Sequence, residues 1–476
     1  MKKFLLIMLS IVAIGFGLSS CEPDDSNSVP KDLRISDFVW KGMNLYYLWQ
    51  EDVPDLADDR FANQTELNTY LSQNNEPITL FNHLRVATSI DRFSVIYSDY
   101  RVLEGILSGT TGNNGVDFAL RYKQGSSTDI FGWVRYILPN SDASNKDIHR
   151  GDIFYAVNGT PLTVTNYQQL LSGQTYTLDL ADYDNGNITP NGQSVTLTKA
   201  TYSENPVYIN EAFNVGNHKI GYLMYNGFYP NYDLAMNQAF AQLDSQNITD
   251  LVLDLRYNSG GSIQTATYLA SMITGQFTNQ VFAKEQWNDK LMDYWNDNNP
   301  ETLSNRFTDE INGNSIHSLN LGTVYILTSR STASASELVI NCLKPYVNVV
   351  QIGDVTTGKN VGSVTLYDSP SFEKDGSDPT HYYAMQPIVL KTINKNGFGD
   401  YADGLQPTQE YVEDLSNLGV LGDVNEPLLS TAIGIITANG RLIRPMPEKI
   451  FTPFKDSKSL DGLRDQMYSS AKNLKP

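Results

Sequence analysis

The sequence predicts a mixed α/β protein: a small helical N-terminal region, a β-rich module, and an α/β core in which helices cross over between strands. Three observations carry this reading. Apolar residues fall near helical spacing from Ile35 to about Val53, short alternating runs broken by Gly, Asn and Asp fill residues 105–200, and from Tyr208 onward strand-like runs alternate with helix-like ones. With 476 residues, 41% of them hydrophobic and only 18% charged, the chain can bury a core of its own. Its net charge of −19 repels a phosphate backbone, which argues against nucleic acid as a partner.

The first residues read as a targeting segment. Met1-Lys2-Lys3 is positive, residues 4–18 are apolar but too short to span a bilayer and stay, and Leu18-Ser19-Ser20-Cys21 places small residues before a cysteine. This stretch resembles a bacterial lipoprotein signal, which implies cleavage before Cys21, lipidation of that residue and an envelope membrane as partner, on the periplasmic or cell-surface face of the outer membrane. Residues 22–34 begin Glu22-Pro23-Asp24-Asp25 and read as an acidic tether. The helical region then occupies 35–104, with Phe38, Val39, Met43, Tyr46, Tyr47 and Trp49 as candidate core and a second helix around 66–71.

In the β-rich module, residues 133–138 read as a strand, 141–148 as a turn with a short helix, 151–159 as a strand ending in an Asn-Gly turn, and 163–171 as a helix. That order resembles a PDZ domain over 105–200. The resemblance implies capture of an extended peptide by strand addition, with Gly115-Val116-Asp117-Phe118 at the loop that receives a terminal carboxylate. Asp117 departs from the family there, because its charge repels a carboxylate. The run Asp182-Tyr183-Asp184-Asn185-Gly186-Asn187 reads as a hairpin turn rather than a calcium loop, since its glycine comes one place early and Gln193 stands at the twelfth position.

The core occupies 201–476. Strands are expected at 219–225, 250–255, 324–328 and 347–352 and helices at 234–243, 263–273 and 333–343; Leu251-Val252-Leu253 and Val324-Tyr325-Ile326-Leu327 are continuously apolar, as strands covered on both faces should be. The largely polar stretch 279–321 reads as an insertion.

Metal and cofactor chemistry finds no support in spacing. The five histidines include no His-Glu-x-x-His pair and no phosphate-cradling glycine loop is complete, so neither a metal nor a cofactor is expected, and the absence of Gly-x-Ser-x-Gly argues against an ordinary α/β-hydrolase. The informative segment is Ser331-Thr332-Ala333-Ser334-Ala335-Ser336-Glu337, which follows a buried strand and opens a helix. Such a junction presents a hydroxyl beside free backbone N–H groups and the positive helix end. Ser334 with Glu337 three residues on is also the pattern of a capping box. Two further features favour chemistry. The turn Arg256-Tyr257-Asn258-Ser259-Gly260-Gly261 can offer an oxyanion donor, and Lys359 follows the next strand in Thr356-Thr357-Gly358-Lys359, where a strand–helix–strand unit returns to the same sheet edge.

Together, Asp254-Leu255-Arg256-x-Asn258-x-Gly260-Gly261, Ala333 to Glu337, Thr356-x-Gly358-Lys359, Gly404-Leu405-x-Pro407 and the Gly422 to Leu429 run resemble the tail-specific, or C-terminal processing, serine peptidases, which carry a PDZ domain before an α/β catalytic core. The resemblance implies a serine endopeptidase acting on unfolded or extended polypeptide, with Ser334 as nucleophile, Lys359 as general base, and N–H groups of Ala335 and of Gly260 or Gly261 as oxyanion hole. Glu337 and Thr356 match supporting positions. Some members have a glutamine four residues after the lysine where Ser363 stands, and an aspartate where Pro345 stands, which leaves Thr356 or Ser363 to orient Lys359. The alternative of another class is a catalytically silent, lipid-anchored peptide-binding protein of the same fold. Cys342, on the same helix as Ser334, reads as a small buried hydrophobe.

Overall fold

The computed structural model describes residues 28–184, 186–437, 452–461 and 465–469. Cys21, its signal and most of the tether lie outside the described residues. Helices α1 (Arg34–Tyr46), α2 (Gln64–Gln73) and α3 (Pro77–His83) form the N-terminal region, with Phe38, Val39, Met43, Tyr46 and Leu80 turned into the main core. The first helix stops sooner than the apolar spacing suggests. After Tyr46 the backbone turns extended so that Leu48 N–H can donate to Ile388 O at 2.9 Å, a bond that fastens this region to the core. A further helix, α4 (Tyr100–Leu107), leads into the module.

The module contains β1 (Val116–Tyr122), β2 (Ile130–Ile137), β3 (Ile153–Val157), helix α5 (Tyr167–Ser172), β4 (Thr175–Asp184) and β5 (Asn187–Thr198). Its strands pair antiparallel in the order β1-β2-β3-β4-β5, and β4 and β5 form the hairpin expected at residue 184. Along the chain the core then runs β6 (Val207–Val215), β7 (His218–Tyr225), α6 (Asp233–Ser245), β8 (Asp250–Asp254), β9 (Gly261–Ser262), α7 (Ile263–Thr274), β10 (Val281–Trp287), α8 (Asp289–Asn298), β11 (Ser304–Arg306), β12 (Thr323–Thr328), α9 (Ala335–Leu343), β13 (Asn348–Gly353), β14 (Val361–Ser363), β15 (Ile388–Asn394), β16 (Gln409–Glu410), α10 (Pro427–Thr437), β17 (Pro453–Asp456) and β18 (Met467–Tyr468).

The central sheet has the order β6-β7-β8-β12-β13-β16 and is parallel apart from the β6–β7 hairpin. Its apolar runs are continuous because alternate residues serve two cores. Leu251, Leu253, Val324 and Ile326 face a core shared with α6, α7, α9 and the N-terminal helices, whereas Val252, Leu327 and Ile352 face α10 and the module's Phe131 and Trp133. The β-rich module thus packs directly on the back of the central sheet.

A second sheet, β9-β18-β14-β15-β10-β11, lies beside it. Here the segment 279–321, read as an insertion, is integral to the packing: β10 pairs with β15 over Ala283 to Trp287, and Trp287, Trp295, Phe307 and Ile311 are buried in the main core. Its polar residues lie on α8 and β11 as well as in connecting turns, while Trp287, Leu291, Trp295, Leu303, Phe307 and Ile311 do the packing. No helix among the described residues is long and apolar enough to cross a membrane.

Candidate active site

Ser334 caps the N-terminal end of α9 with φ +63° and ψ −114°, a conformation that L-residues rarely adopt. The loop that imposes it is tied down from both sides. Thr332 Oγ1 donates to Leu255 O at 2.8 Å, Ala333 N–H donates to Asn258 O at 3.1 Å, and Thr357 N–H donates to Thr332 O at 2.9 Å. These bonds stabilise a backbone strain of roughly 1–3 kcal/mol and aim the side chain inward. The Ser334 hydroxyl is buried without a hydrogen-bond partner.

The turn after β8 approaches from the other side. A Cβ added to Gly260 would sit 2.7 Å from Ser334 Cβ and 3.0 Å from Ala335 N, so glycine alone permits the approach. Of the expected oxyanion donors, Gly260 is committed elsewhere, because its N–H donates to Asn258 Oδ1 at 2.8 Å within the turn. Gly261 N–H points to Gln466 O of the C-terminal segment at 2.5 Å. Ala335 N–H, next to Ser334 at the helix start, has neither engagement.

Lys359 lies on the connection from β13 to β14 and is fully buried, and its ammonium nitrogen also lacks a hydrogen-bond partner. Its Nζ sits 4.6 Å from the ring centroid of Phe93, and Arg92 Nη2 donates to Gly358 O at 3.0 Å, so the N-terminal region walls the lysine in. Burial lowers its pKa to about 7, against the carboxylates of Asp465, Asp91 and Glu337, which favour the charged form, and with the help of Arg92. The charges around Lys359 come from distant segments, whereas its sequence neighbours carry none.

Glu337 joins the two halves. Its Oε2 accepts from Ser334 N–H at 2.7 Å and from Lys359 N–H at 2.8 Å, while Oε1 accepts from Gly358 N–H at 2.7 Å and from the Thr356 hydroxyl at 2.5 Å. Burial pushes its pKa up, and these four bonds oppose the rise by favouring the carboxylate. Thr356 Oγ1 in turn accepts from Leu405 N–H at 2.7 Å, which gives the Gly404-Leu405 run its place in the site. Ser334 and Lys359 are therefore brought to one carboxylate through their backbones, with no direct hydrogen bond between their side chains.

Neither residue expected to orient Lys359 bonds its ammonium. Thr356 serves Glu337, and Ser363 Oγ donates to Met467 O at 3.2 Å and accepts from Gln386 Nε2 at 3.0 Å. Phe93, Arg92 and Asp91 were not legible as site residues, since only tertiary packing brings them near a lysine more than 260 positions away. At the module's loop, Asp117 is buried and bonded to Arg135 Nε at 2.5 Å and to Ser457 Oγ at 2.8 Å, so an ion pair takes up its charge. Gly115 has φ +99°, Val116 and Phe118 are buried, and Phe118 N–H faces Ser457 Oγ at 3.4 Å. Cys342 is buried and burial pushes its thiol pKa far up, as an inert core residue requires. Away from the site, Asp368, Asp378 and His381 gather their ligand atoms within 4.8 Å, a grouping that spacing alone does not reveal.

A strained serine at a helix N-terminus, next to backbone donors and a desolvated lysine, belongs to the class of sites suited to nucleophilic acyl transfer. In comparisons with known proteins, the model of peptidase family S41 matches part of the chain. The family model matches residues 219–371, and that of the peptidase S41 N-terminal domain matches residues 34–95. The chain is similar to a chloroplastic C-terminal processing peptidase of Tetradesmus obliquus, 26% identical over 54% of this chain and 54% of that one. It is also similar to carboxyl-terminal-processing peptidase 2 of Arabidopsis thaliana, 28% identical over 62% and 58%. It thus spans little more than half the length of these curated relatives. Among solved structures, an S41 protease of Bacteroides fragilis NCTC 9343 superposes with a TM-score of 0.63 at 29% identity, covering 85% of this chain and 98% of that one. The photosystem II D1 C-terminal processing protease shares the fold, with a TM-score of 0.51 at 19% identity over 85% and 97%.

Proposed function

We propose that this protein is a serine endopeptidase that cuts extended segments of polypeptides, with Ser334 as nucleophile and Lys359 as general base. The observation that carries the proposal is the Glu337 carboxylate, which holds the backbones of both residues on one oxygen. A lysine with a pKa of about 7 is substantially neutral at physiological pH and can accept the Ser334 proton as Oγ attacks the scissile carbonyl carbon. The developing oxyanion is met by Ala335 N–H and, once its present acceptor leaves, by Gly261 N–H. Protonated Lys359 then delivers its proton to the leaving amine, and water releases the acyl group by the reverse sequence.

The names of the relatives support action near the C-terminal ends of protein substrates. The β-rich module, in the PDZ-like role, recruits or gates substrate through its strand edge, and the lipid on Cys21 holds the enzyme at an envelope membrane. The test is cleavage of casein by the native chain beside Ser334→Ala and Lys359→Ala, with new termini identified by mass spectrometry. Cleavage lost in both variants is the expected result. Cleavage that survives in Ser334→Ala would remove the assignment.

A further inference from the structure

The C-terminal segments 452–461 and 465–469 fold back over both functional surfaces of the chain. The first lies in the groove of the β-rich module. Strand β17 adds antiparallel to the edge of β1, with Lys455 opposite Leu120 and Asp456 opposite Ala119, and Tyr122 N–H donates to Thr452 O at 3.1 Å. Phe454 fits between the strand and helix α5, its ring 5.2 Å from Tyr122 and 5.3 Å from Tyr167, and Leu460 packs on the same core. This is strand addition with an apolar anchor, the mode by which a sheet edge holds an extended peptide.

The segment then ties module to core. Asp456 pairs with Arg135 at 3.4 Å and accepts from Ser331 Oγ at 3.0 Å, three residues before Ser334, while Lys458 Nζ donates to Asn226 O at 2.8 Å and Tyr257 O at 3.2 Å. A cavity of about 100 Å³ beneath it joins Asp117 and Tyr136 of the module to Gly260 and Gly261 of the site.

The second segment lies in the site itself. Strand β18 runs parallel between β9 and β14, with Gly261 opposite Met467 and Ser363 opposite Tyr468. The Cβ position of Gly260 that lies 2.7 Å from Ser334 Cβ lies 2.3 Å from Gln466 O. Gln466 O therefore sits beside the nucleophile and takes the N–H of Gly261, one of the donors that a substrate's oxyanion needs.

We propose that this C-terminal segment is an intramolecular competitor of the polypeptide substrate, filling the strand-addition groove and the cleft together, so that it must leave before another chain can be cut. One donor cannot serve two carbonyls, and one sheet edge cannot pair two strands. Electrostatics favours competitor over substrate: Asp465 is the foremost carboxylate opposing the neutral form of Lys359, so the docked segment also reduces the share of the lysine that is neutral and able to accept a proton. A substrate chain takes the same path, paired to β1 in the module and laid between β9 and β14 at the site. The functional consequence rests on the peptidase reading, whereas the occupancy does not.

The test uses the full chain with Arg121→Cys and Pro453→Cys, a facing pair in the β1–β17 ladder, so that oxidation locks the segment in place and reduction frees it. A fluorescent peptide of residues 452–469 is the probe, read by anisotropy, with casein cleavage measured on the same samples. The reduced protein should bind the peptide at least tenfold more tightly than the oxidised one, and Phe454→Ser, which loosens the anchor, should bind it more tightly than the native chain. Equal affinity in the two redox states, or no binding by Phe454→Ser, would overturn the proposal. Binding that follows the lock with no casein cleavage in any form would uphold the occupancy and remove the peptidase reading instead.

Discussion

Ser334 carries a conformation that glycine would adopt without strain, and this separates its structural cost from its chemical use. Ser334→Gly should raise stability by about 1 kcal/mol, a rise of about 1–3 °C in thermal midpoint, while abolishing turnover; a lowered midpoint would mean that the loop, rather than the residue, carries the strain. Lys359 sets the pH dependence expected of the proposed mechanism. With its neutral form as the proposed base, kcat/KM should rise with pH through about 7 and reach a plateau above it. The stability sign follows from the same shift: the folded lysine releases its proton near 7 and the unfolded one near 10.4, so between these values the unfolded state binds more protons and stability rises with pH. Lys359→Met should therefore raise the thermal midpoint at pH 6 and lose that advantage toward pH 10, as a series of melting curves would show. The serine and lysine were legible from their positions at strand ends. Phe93 and Arg92 were not, because nothing local marks an aromatic ring that will meet a lysine across the fold.

At the scale of elements, one buried carboxylate sets the relation between α9 and the connection that follows β13. Glu337→Ala leaves Ser334, Gly358 and Lys359 N–H groups without their acceptor, and should cost about 3 kcal/mol in urea unfolding and at least tenfold in turnover. Full activity in that variant would mean the two backbones are held by other contacts. The Asp117–Arg135–Asp456 group plays the comparable role between β1, β2 and β17. Arg135→Ala strands two buried carboxylates and should cost about 3–5 kcal/mol. Strands β7, β8, β12 and β13 of the central sheet were readable because their apolar runs are covered on both sides, whereas the edge strands β6 and β16 were not expected. Strands β9, β14 and β18 have two or three residues each and exist only through pairing between segments far apart in sequence, so no local pattern announces them. The aromatic residues of 279–321 were hidden for a related reason, being few among many polar neighbours.

At the scale of the whole molecule, the helical region, the β-rich module and the core converge on one cleft, against which residues 452–461 and 465–469 pack. The return of residues 452–461 and 465–469 to both surfaces was not legible in the sequence, since these stretches carry no periodic signal. The N-terminal cysteine adds a cellular expectation: the native protein should fractionate with membranes and Cys21→Ala should not, as detergent partitioning would show. The central claim is that Lys359 activates Ser334. Covalent labelling by a fluorophosphonate across pH 5–9, mapped by peptide mass spectrometry in the native chain and in Phe454→Ser, tests it most directly. The expected result is a label on Ser334, a rate that rises through about pH 7, and loss of labelling in Lys359→Met. Labelling of another residue, or a rate on Ser334 unchanged by pH and by Lys359→Met, would contradict it.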